Sequence, residues 1–136
     1  MTIFVFDSSA VLRHHDNESG ADRVEAIFED CARGFGEMCI SAVQWGEIAA
    51  VQRKRFGALE QERILQRLTQ ADLHIVPATP ERAVRAAEIR VDRKMSNADS
   101  YAIELAMDSP DHLLVTADYD FKAVADLTRI EFLPLK

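Results

Sequence analysis

The sequence predicts an α/β domain built around a mainly parallel sheet of five strands. Short apolar runs alternate along the chain with segments whose apolar residues recur at helical spacing, and this alternation is typical of parallel sheets with helical crossovers. The 136 residues suffice for one hydrophobic core, so we expect a single domain over residues 1–136. The content of 48% hydrophobic and 29% charged residues excludes a disordered or fibrous chain.

The chain opens with a strand, a helix and a second strand. Residues 3–6 form a short apolar run of the kind that is buried on both faces of a parallel sheet. We expect Gly34 and Gly36 to end the helical pattern that follows and the second strand to span residues 38–40. The apolar positions of that first helical pattern are Val24, Ile27, Phe28 and Cys31.

Two helices are predicted next. Ser41 and Gln44 have the spacing of a capping box, and the helix that they open is expected to run to about Arg55, with Gly57 as its stop. A further helix is predicted over residues 59–69. The residues expected to point inward are Trp45, Ile48 and Ala49 in the first of these helices, and Leu65 and Leu68 in the second.

The second half of the chain continues the alternation. Thr79 is the expected cap of a helix with Pro80 at its first position, and its apolar side is predicted to contain Val84, Ala87 and Val91. Ser96 or Asn97 is expected to cap the next helix, over residues 99–107. The remaining predicted elements are strands at 73–76, 113–117 and 130–133 and a short helix at 121–127.

The cysteines, the histidines and the N-terminal region exclude several classes of protein. Cys31 and Cys39 lack metal-ligand spacing and are interpreted as core thiols, which favours a reducing compartment. Asp7 interrupts the first apolar run and no run could span a bilayer, so we expect a cytoplasmic protein without a membrane partner. The histidines show no metalloprotease spacing and are interpreted as surface or loop residues; they are His14, His15, His74 and His112.

Four acidic residues fall at positions that suggest a shared site. Asp7 follows the first strand and Asp118 the fourth, and open α/β sheets bind ligands at the carboxyl ends of their strands. Asp99 and Glu47 have apolar neighbours at helical spacing, namely Ala102, Ile103 and Ala106 for Asp99, and Val43 and Ala50 for Glu47. The sequence therefore predicts that carboxylates face one another at one edge of the sheet.

Each acid also has an ordinary structural use. Asp7 suits a helix N-cap or a turn, Asp99 suits the acidic position of a capping box, Asp118 with Asp120 suits an acidic turn, and Glu47 suits a solvated helix surface. Capping needs alone do not explain all four together, because carboxylates in one pocket repel one another unless a cation neutralises them. Oxygen-only ligands favour Mg²⁺ or Mn²⁺ over Zn²⁺, and such an ion can activate water against a phosphodiester.

The overall charge does not exclude a nucleic-acid substrate. The formal net charge is 16 − 23 = −7, although nucleic-acid binders usually have a basic footprint; a metal ion would offset part of the acidic charge. The basic residues cluster at two predicted helix ends, where they interact with the helix dipole or hold a substrate backbone. The candidates for binding the substrate are Arg53, Lys54, Arg55, Arg93 and Lys94.

Four blocks of the sequence resemble PIN-domain proteins, and specifically the VapC-type toxin ribonucleases of toxin–antitoxin pairs. In chain order these blocks are FDSSAVL, ISAVQWGEI, MSNADSYAIELA and LLVTADYDFKAV. The resemblance implies a three-layer α/β/α fold with a central, mainly parallel five-stranded sheet, and an endoribonuclease that depends on Mg²⁺ or Mn²⁺. It makes Asp7, Glu47, Asp99 and Asp118 the catalytic acids, with Asp7, Asp99 and Asp118 as metal ligands and Asp120 as an extra candidate ligand.

The resemblance also implies partners. They are an RNA substrate, a second copy of the chain in a homodimer, and a cognate VapB-like antitoxin whose carboxyl-terminal segment covers the acidic site. An arginine from such a segment suits an acidic pocket, because a guanidinium can replace the charge of the metal.

Two other functions fit the sequence less well. A PIN-like module that binds RNA or protein without cutting would have no need to keep four repelling acids. A receiver-type signalling domain needs an acidic pair after the first strand and a phosphoacceptor Asp after the third, whereas here the first strand ends in Asp7 alone and the third runs into Pro77 and Ala78.

Overall fold

The computed structural model describes residues 1–135 and alternates strands with helices along its whole length. The strands are β1 (Thr2–Phe6), β2 (Gly36–Ser41), β3 (His74–Val76), β4 (His112–Thr116) and β5 (Arg129–Phe132). The helices are α1 (Ser8–His15), α2 (Ala21–Ala32), α3 (Ala42–Phe56), α4 (Ala58–Gln70), α5 (Pro80–Arg93) and α6 (Asn97–Ala106), and a 3-10 helix spans Tyr119–Val124. No helix within residues 1–135 has the length and hydropathy needed to cross a membrane.

The five strands form one sheet in the order β3-β2-β1-β4-β5, and every pairing is parallel. From β1 the chain first builds outward through β2 and β3, and it then crosses to the other side of β1 to add β4 and β5. The direction of growth therefore reverses at the boundary between β1 and β4, where Phe6 pairs with Val115. The predicted α/β fold with a parallel central sheet is confirmed.

The sheet has a separate hydrophobic core on each face, which makes three layers. Alternate residues of β1 point to opposite faces, so Phe6 packs with α1, α2, α3 and α4 while Val5 packs with α6 and the 3-10 helix. The fully buried side chains include Phe6 and Ile48 on the first face and Ile103 and Phe121 on the second. The predicted core thiols fit this arrangement, since Cys39 is buried in β2 and Cys31 half-buried in α2.

Helix α1 has no counterpart in the sequence prediction. It has only eight residues, and its buried residues Ala10 and Val11 are adjacent rather than spaced at a helical repeat, so no periodic pattern marks it. The interpretation of the histidines as surface or loop residues is wrong for His14, because this residue lies in α1 and packs edge-on against Phe28. It is also wrong for His15, which is a half-buried residue of the same helix.

The predicted apolar side of α5 is wrong. Val84 is 61% exposed and Val91 is 69% exposed, whereas Ala86 is the buried residue of this helix. The reason is that α5 meets α6 through a small residue and a charge contact: Arg82 donates hydrogen bonds to the buried carboxylate of Glu104. A search for large apolar residues at helical spacing therefore selects the opposite face.

Several boundaries also differ from the sequence prediction. The second strand begins at Gly36, two residues earlier than predicted, and a Cβ atom at Gly36 would lie 3.1 Å from the ring of Phe4. Ser41 caps α3 as expected, yet Gln44 does not complete the capping box, because its side chain bonds to other elements. Ser96 rather than Asn97 caps α6. The predicted short helix at residues 121–127 is a 3-10 helix, Tyr119–Val124.

Candidate functional site

Asp7 lies at the carboxyl end of β1 and is only 2% exposed. Its Oδ1 accepts hydrogen bonds from the backbone N–H of Ala10 at 3.2 Å and from Ser9 Oγ at 2.7 Å. Its Oδ2 accepts a hydrogen bond from Thr116 Oγ1 at 2.9 Å. Asp7 is therefore the N-cap of α1, and the structure also buries it at the boundary between β1 and β4.

Two hydroxyl groups connect Asp7 to the end of β4. Ser9 Oγ accepts a hydrogen bond from the backbone N–H of Ala117, and Thr116 Oγ1 accepts one from the backbone N–H of Asp118, both at 2.9 Å. Each hydroxyl thus donates to the carboxylate of Asp7 and accepts from the chain that leads to Asp118. The carboxyl ends of β1 and β4 are joined at the place where the strand order predicts a ligand site.

Asp118 and Asp120 lie in the turn that follows β4. Asp118 is half-buried, and its Oδ1 accepts a hydrogen bond from the backbone N–H of Asp120 at 2.9 Å, which caps the 3-10 helix. Asp120 itself is exposed. The acidic-turn interpretation of this pair is confirmed as local structure, and it places both carboxylates beside the end of β4.

Asp99 is the third residue of α6, and its backbone N–H donates to Ser96 Oγ at 3.2 Å. It is half-buried. The residues predicted to share its stripe, Ala102, Ile103 and Ala106, are all buried. The capping position and the inward direction of Asp99 are thus both correct, since the first turn of α6 lies at the rim of the core.

Glu47 is the acid whose surroundings differ from the prediction. It lies on an exposed face of α3, where Ala50 is exposed as well. Its Oε1 accepts a hydrogen bond from Ser8 Oγ at 3.1 Å, so the side chain reaches the start of α1 although the helix face is open to solvent. The expectation that Glu47 faces inward is wrong, because its apolar neighbours, the exposed Ala50 and the half-buried Val43, do not form a buried stripe.

The carboxylates interact electrostatically. Burial raises the pKa of Asp7 to about 7, its three hydrogen bonds oppose the shift, and the charge of Asp99 adds to it. Partial burial also raises the pKa of Asp99; hydrogen bonds from Ser96 and Gln44 oppose this shift, and Asp118 and Asp120 reinforce it. Partial desolvation of its carboxyl raises the pKa of Glu47, with a further contribution from Asp99. Asp99 is therefore the acid that interacts with all the others.

The donor set consists of oxygen atoms only, which suits a hard divalent cation. Within residues 1–135, no three His, Cys, Asp or Glu side chains are arranged as a ready-made metal-binding group. Burial, with a smaller contribution from neighbouring acidic charge, raises the pKa of Asp7, Asp99 and Glu47, and this is the electrostatic situation that a cation relieves. The chemistry of these side chains thus suits such an ion.

The two basic clusters lie at the ends of helices, as predicted. Arg53 donates a hydrogen bond to Gln61, and Arg55 forms an ion pair with Asp16 at 3.1 Å. On α5, Arg93 makes a two-pronged contact with the carboxylate of Asp126 at 2.9 and 2.8 Å. Lys54 and Lys94 are exposed. Binding of a phosphate backbone by Arg55 or Arg93 would thus compete with existing surface ion pairs.

Three polar residues of the site were not identified from the sequence. Ser9 and Thr116 hold Asp7, and Gln44 accepts from the backbone N–H of Ser8 while it donates to the backbone C=O of Ala98. The available signal was proximity in the sequence, since Ser9 lies two residues after Asp7 and Thr116 two residues before Asp118. Gln44 gave a misleading signal, because its spacing from Ser41 suggested a capping box.

Comparisons with known proteins agree with this architecture. The family model of the PIN domain matches residues 4–127. A search of curated proteins finds no match to the chain. Solved structures with a similar fold exist, and three of them illustrate the degree of similarity.

The first is VapBC2 of Rickettsia felis bound to a DNA fragment of its promoter, with a TM-score of 0.73, 15% identity, and coverage of 98% of this chain and 100% of the other. The second is VapC20 of Mycobacterium tuberculosis, a sarcin-ricin loop cleaving toxin, with a TM-score of 0.71, 21% identity, and coverage of 98% and 100%. The third is FitAcB of Neisseria gonorrhoeae, with a TM-score of 0.63, 22% identity, and coverage of 94% and 96%. At these identities the likeness is one of fold.

Proposed function

Because this chain belongs to the PIN domain family, we propose that it is a metal-dependent endoribonuclease and the toxin of a toxin–antitoxin pair, with residues 1–136 as one catalytic domain. The observation that carries the proposal is the buried carboxylate of Asp7 beside the carboxyl end of β4, within the electrostatic influence of Asp99. A carboxylate whose pKa is raised by burial, and further by an acid from another element, is typical of a catalytic site rather than of an isolated cap.

Asp7, Asp99 and Asp118 would hold Mg²⁺ or Mn²⁺, and Asp120 is an additional candidate. When bound, such an ion lowers the pKa of a water molecule and stabilises the negative charge that develops on a phosphodiester. The protein prepares its ligands in advance, since Ser9 and Thr116 fix both oxygens of Asp7. Fixed carboxylates lose little further freedom when they bind a ligand.

Glu47 has a different role in the proposed reaction. It is exposed, and its carboxylate is oriented by Ser8 Oγ. Partial desolvation raises its pKa, which makes it a better proton acceptor than an ordinary surface glutamate. We assign to Glu47 the task of completing the site or of orienting the attacking water by accepting a hydrogen bond from it.

RNA is the proposed substrate class. The sarcin-ricin loop cleaved by VapC20 of Mycobacterium tuberculosis supports RNA as the substrate of this fold. Contacts with the RNA backbone are assigned to the basic ends of α3 and α5, where Lys54 and Lys94 are exposed. Arg53, Arg55 and Arg93 would assist once the backbone competes with their present partners.

An antitoxin and a second copy of the chain are the proposed protein partners, and the cytoplasm is the proposed location. Similar folds occur in VapBC toxin–antitoxin complexes from several bacteria, including Salmonella typhimurium. The antitoxin would place an arginine near Asp7 and Asp99 and abolish cleavage on mixing; unaffected cleavage would contradict this. The proposed surface for the homodimer is the exposed stripe of α5 formed by Val84, Ala87 and Val91. A mass in solution equal to that of one 15.3 kDa chain would contradict the homodimer.

The proposed activity is tested by incubating total cellular RNA with the purified protein in Mg²⁺, in Mn²⁺ and in EDTA. We expect discrete fragments that require the metal and that disappear in the Asp99→Asn variant. The matched control is Asp22→Asn, which alters an exposed acid in the first turn of α2 and should cleave as the parent does. Absence of cleavage under every condition would refute the nuclease and favour a PIN-like module that binds without cutting.

A further inference from the structure

Gln44 is a fully buried polar residue that joins two of the elements that carry acids. It lies in the first turn of α3 and is 0% exposed. Its Oε1 accepts a hydrogen bond from the backbone N–H of Ser8 at 2.7 Å, and its Nε2 donates one to the backbone C=O of Ala98 at 2.8 Å. One amide group thus spans the start of α1 and the start of α6.

Both contacts are next to proposed metal ligands. Ser8 follows Asp7 directly, and Ala98 directly precedes Asp99. The N–H of Ser8 is one of the first backbone donors of α1, which have no partner inside their own helix, and Gln44 supplies the missing acceptor. A rigid amide between these two backbone groups limits how far the first turns of α1 and α6 can separate.

A second glutamine on the same helix shows that burial alone does not require these contacts. Gln44, Ile48 and Gln52 follow one another at intervals of four residues along α3, and all three are 0% exposed. Within residues 1–135, neither side-chain polar atom of Gln52 has a hydrogen-bond partner, whereas both of Gln44 do. The bonding of Gln44 is therefore a specific feature of the end of α3 that faces the acids.

We propose that Gln44 is a positioning residue that clamps the first turns of α1 and α6 together and so sets the separation of the carboxylates of Asp7 and Asp99. The clamp acts before any ligand arrives, because both of its backbone contacts are formed within the protein itself. This inference rests on the proposed function in one respect: metal binding is expected to require the correct separation of the carboxylates of Asp7 and Asp99. The geometric part stands by itself.

The test compares Gln44→Met with Gln52→Met, since methionine has nearly the volume of glutamine and no comparable polar atoms. Amide hydrogen exchange in EDTA reports the clamp directly. Gln44→Met should accelerate exchange at Ser8, whose backbone N–H donates to Gln44 Oε1, by roughly threefold to tenfold, as expected from loss of one hydrogen bond, and Gln52→Met should leave this rate unchanged. Gln44→Glu keeps the acceptor for Ser8, so exchange at Ser8 should remain close to the parent rate.

Binding of Mn²⁺, followed by electron paramagnetic resonance, reports the consequence. We expect Gln44→Met to raise the Kd for Mn²⁺ by roughly 10- to 100-fold, the usual effect of removing a group that orients metal ligands, while Gln52→Met binds as the parent does. Equal exchange rates in the two methionine variants would overturn the clamp. If the parent binds Mn²⁺ and Gln44→Met binds it equally well, the positioning role fails and the proposed function survives. If the parent binds no Mn²⁺, the proposed function fails, and the exchange rates still decide on the clamp.

Discussion

Replacement of Asp7 by asparagine should stabilise the protein, and the gain should depend on pH. The carboxyl of Asp7 has a pKa of about 7 in the folded protein, against an ordinary value of 3.8. A carboxyl group whose pKa is raised by folding stabilises the folded state at pH values below its ordinary pKa, here 3.8. This stabilisation is lost as the pH rises towards 7, the pKa in the folded protein. Asparagine resembles the protonated acid and is an equally good N-cap, so the Asp7→Asn variant should not undergo this loss.

The magnitude follows from the difference between the two pKa values. A difference of 7 − 3.8 corresponds to an upper limit of about 4 kcal/mol, at 1.36 kcal/mol per unit. Thr116 must turn its hydroxyl to accept from the new amide, although it already accepts from the backbone N–H of Asp118. We therefore expect a gain of about 2–4 kcal/mol at pH 8 and almost none near pH 4.

The assay is urea unfolding in EDTA between pH 4 and pH 8, followed by the fluorescence of Trp45, the single tryptophan. The quantity of interest is the free energy of unfolding of Asp7→Asn minus that of the parent at each pH, since this difference removes contributions from other groups. Asp22→Asn is the control and should produce no increase with pH. A difference for Asp7→Asn that is constant with pH, or that falls as the pH rises, would refute the assigned burial of a carboxylate.

Three further substitutions test other parts of the structure. Glu104→Gln should destabilise the fold by about 2–3 kcal/mol in urea unfolding, because Arg82 loses a buried partner but keeps Asp108. Binding of Mn²⁺ should be unchanged in this variant, and weaker binding would contradict a purely structural role for the pair of Arg82 and Glu104. Gly20→Ala should cost about 2–4 kcal/mol, since φ is +92° and the new Cβ would lie 2.8 Å from Leu133 Cβ; a neutral effect would show that the segment moves freely. Arg93→Ala should leave the unfolding midpoint unchanged because its ion pair lies on the surface, and a clear drop would contradict this.

The strands and the positions of the acids could be predicted because both follow from topology. A strand buried on both faces is a short continuous apolar run, and parallel strands bring their carboxyl ends to one edge. Asp7 and Asp118 therefore had to lie at the same edge once β1 and β4 were recognised. Helix α1 lacked a signal of this kind, because eight residues contain too few turns for a periodic pattern.

The contacts that hold the site could not be predicted in the same way. Serine, threonine and glutamine bond to whatever lies near them, and their neighbours here are distant in sequence: Thr116 lies 109 residues from Asp7, and Gln44 lies 54 residues from Ala98. The apolar side of α5 was misjudged for a related reason, since Arg82 binds Glu104 across the helix pair. Patterns of hydrophobic residues do not report charge pairs between elements.

The burial of Asp7 separates its two interpretations. An N-cap needs one accepted hydrogen bond at a helix start, and exposed aspartates provide it without loss of hydration. Asp7 provides it while only 2% exposed, and its pKa of about 7 reflects a desolvation that three donated hydrogen bonds do not offset. The negative charge of Asp99 raises the pKa of Asp7 further. A residue selected for the fold alone would be asparagine or serine, which cap equally well without the charge. The negative charge of Asp7 is therefore not needed for capping, and the pH dependence of Asp7→Asn measures what this charge costs the fold.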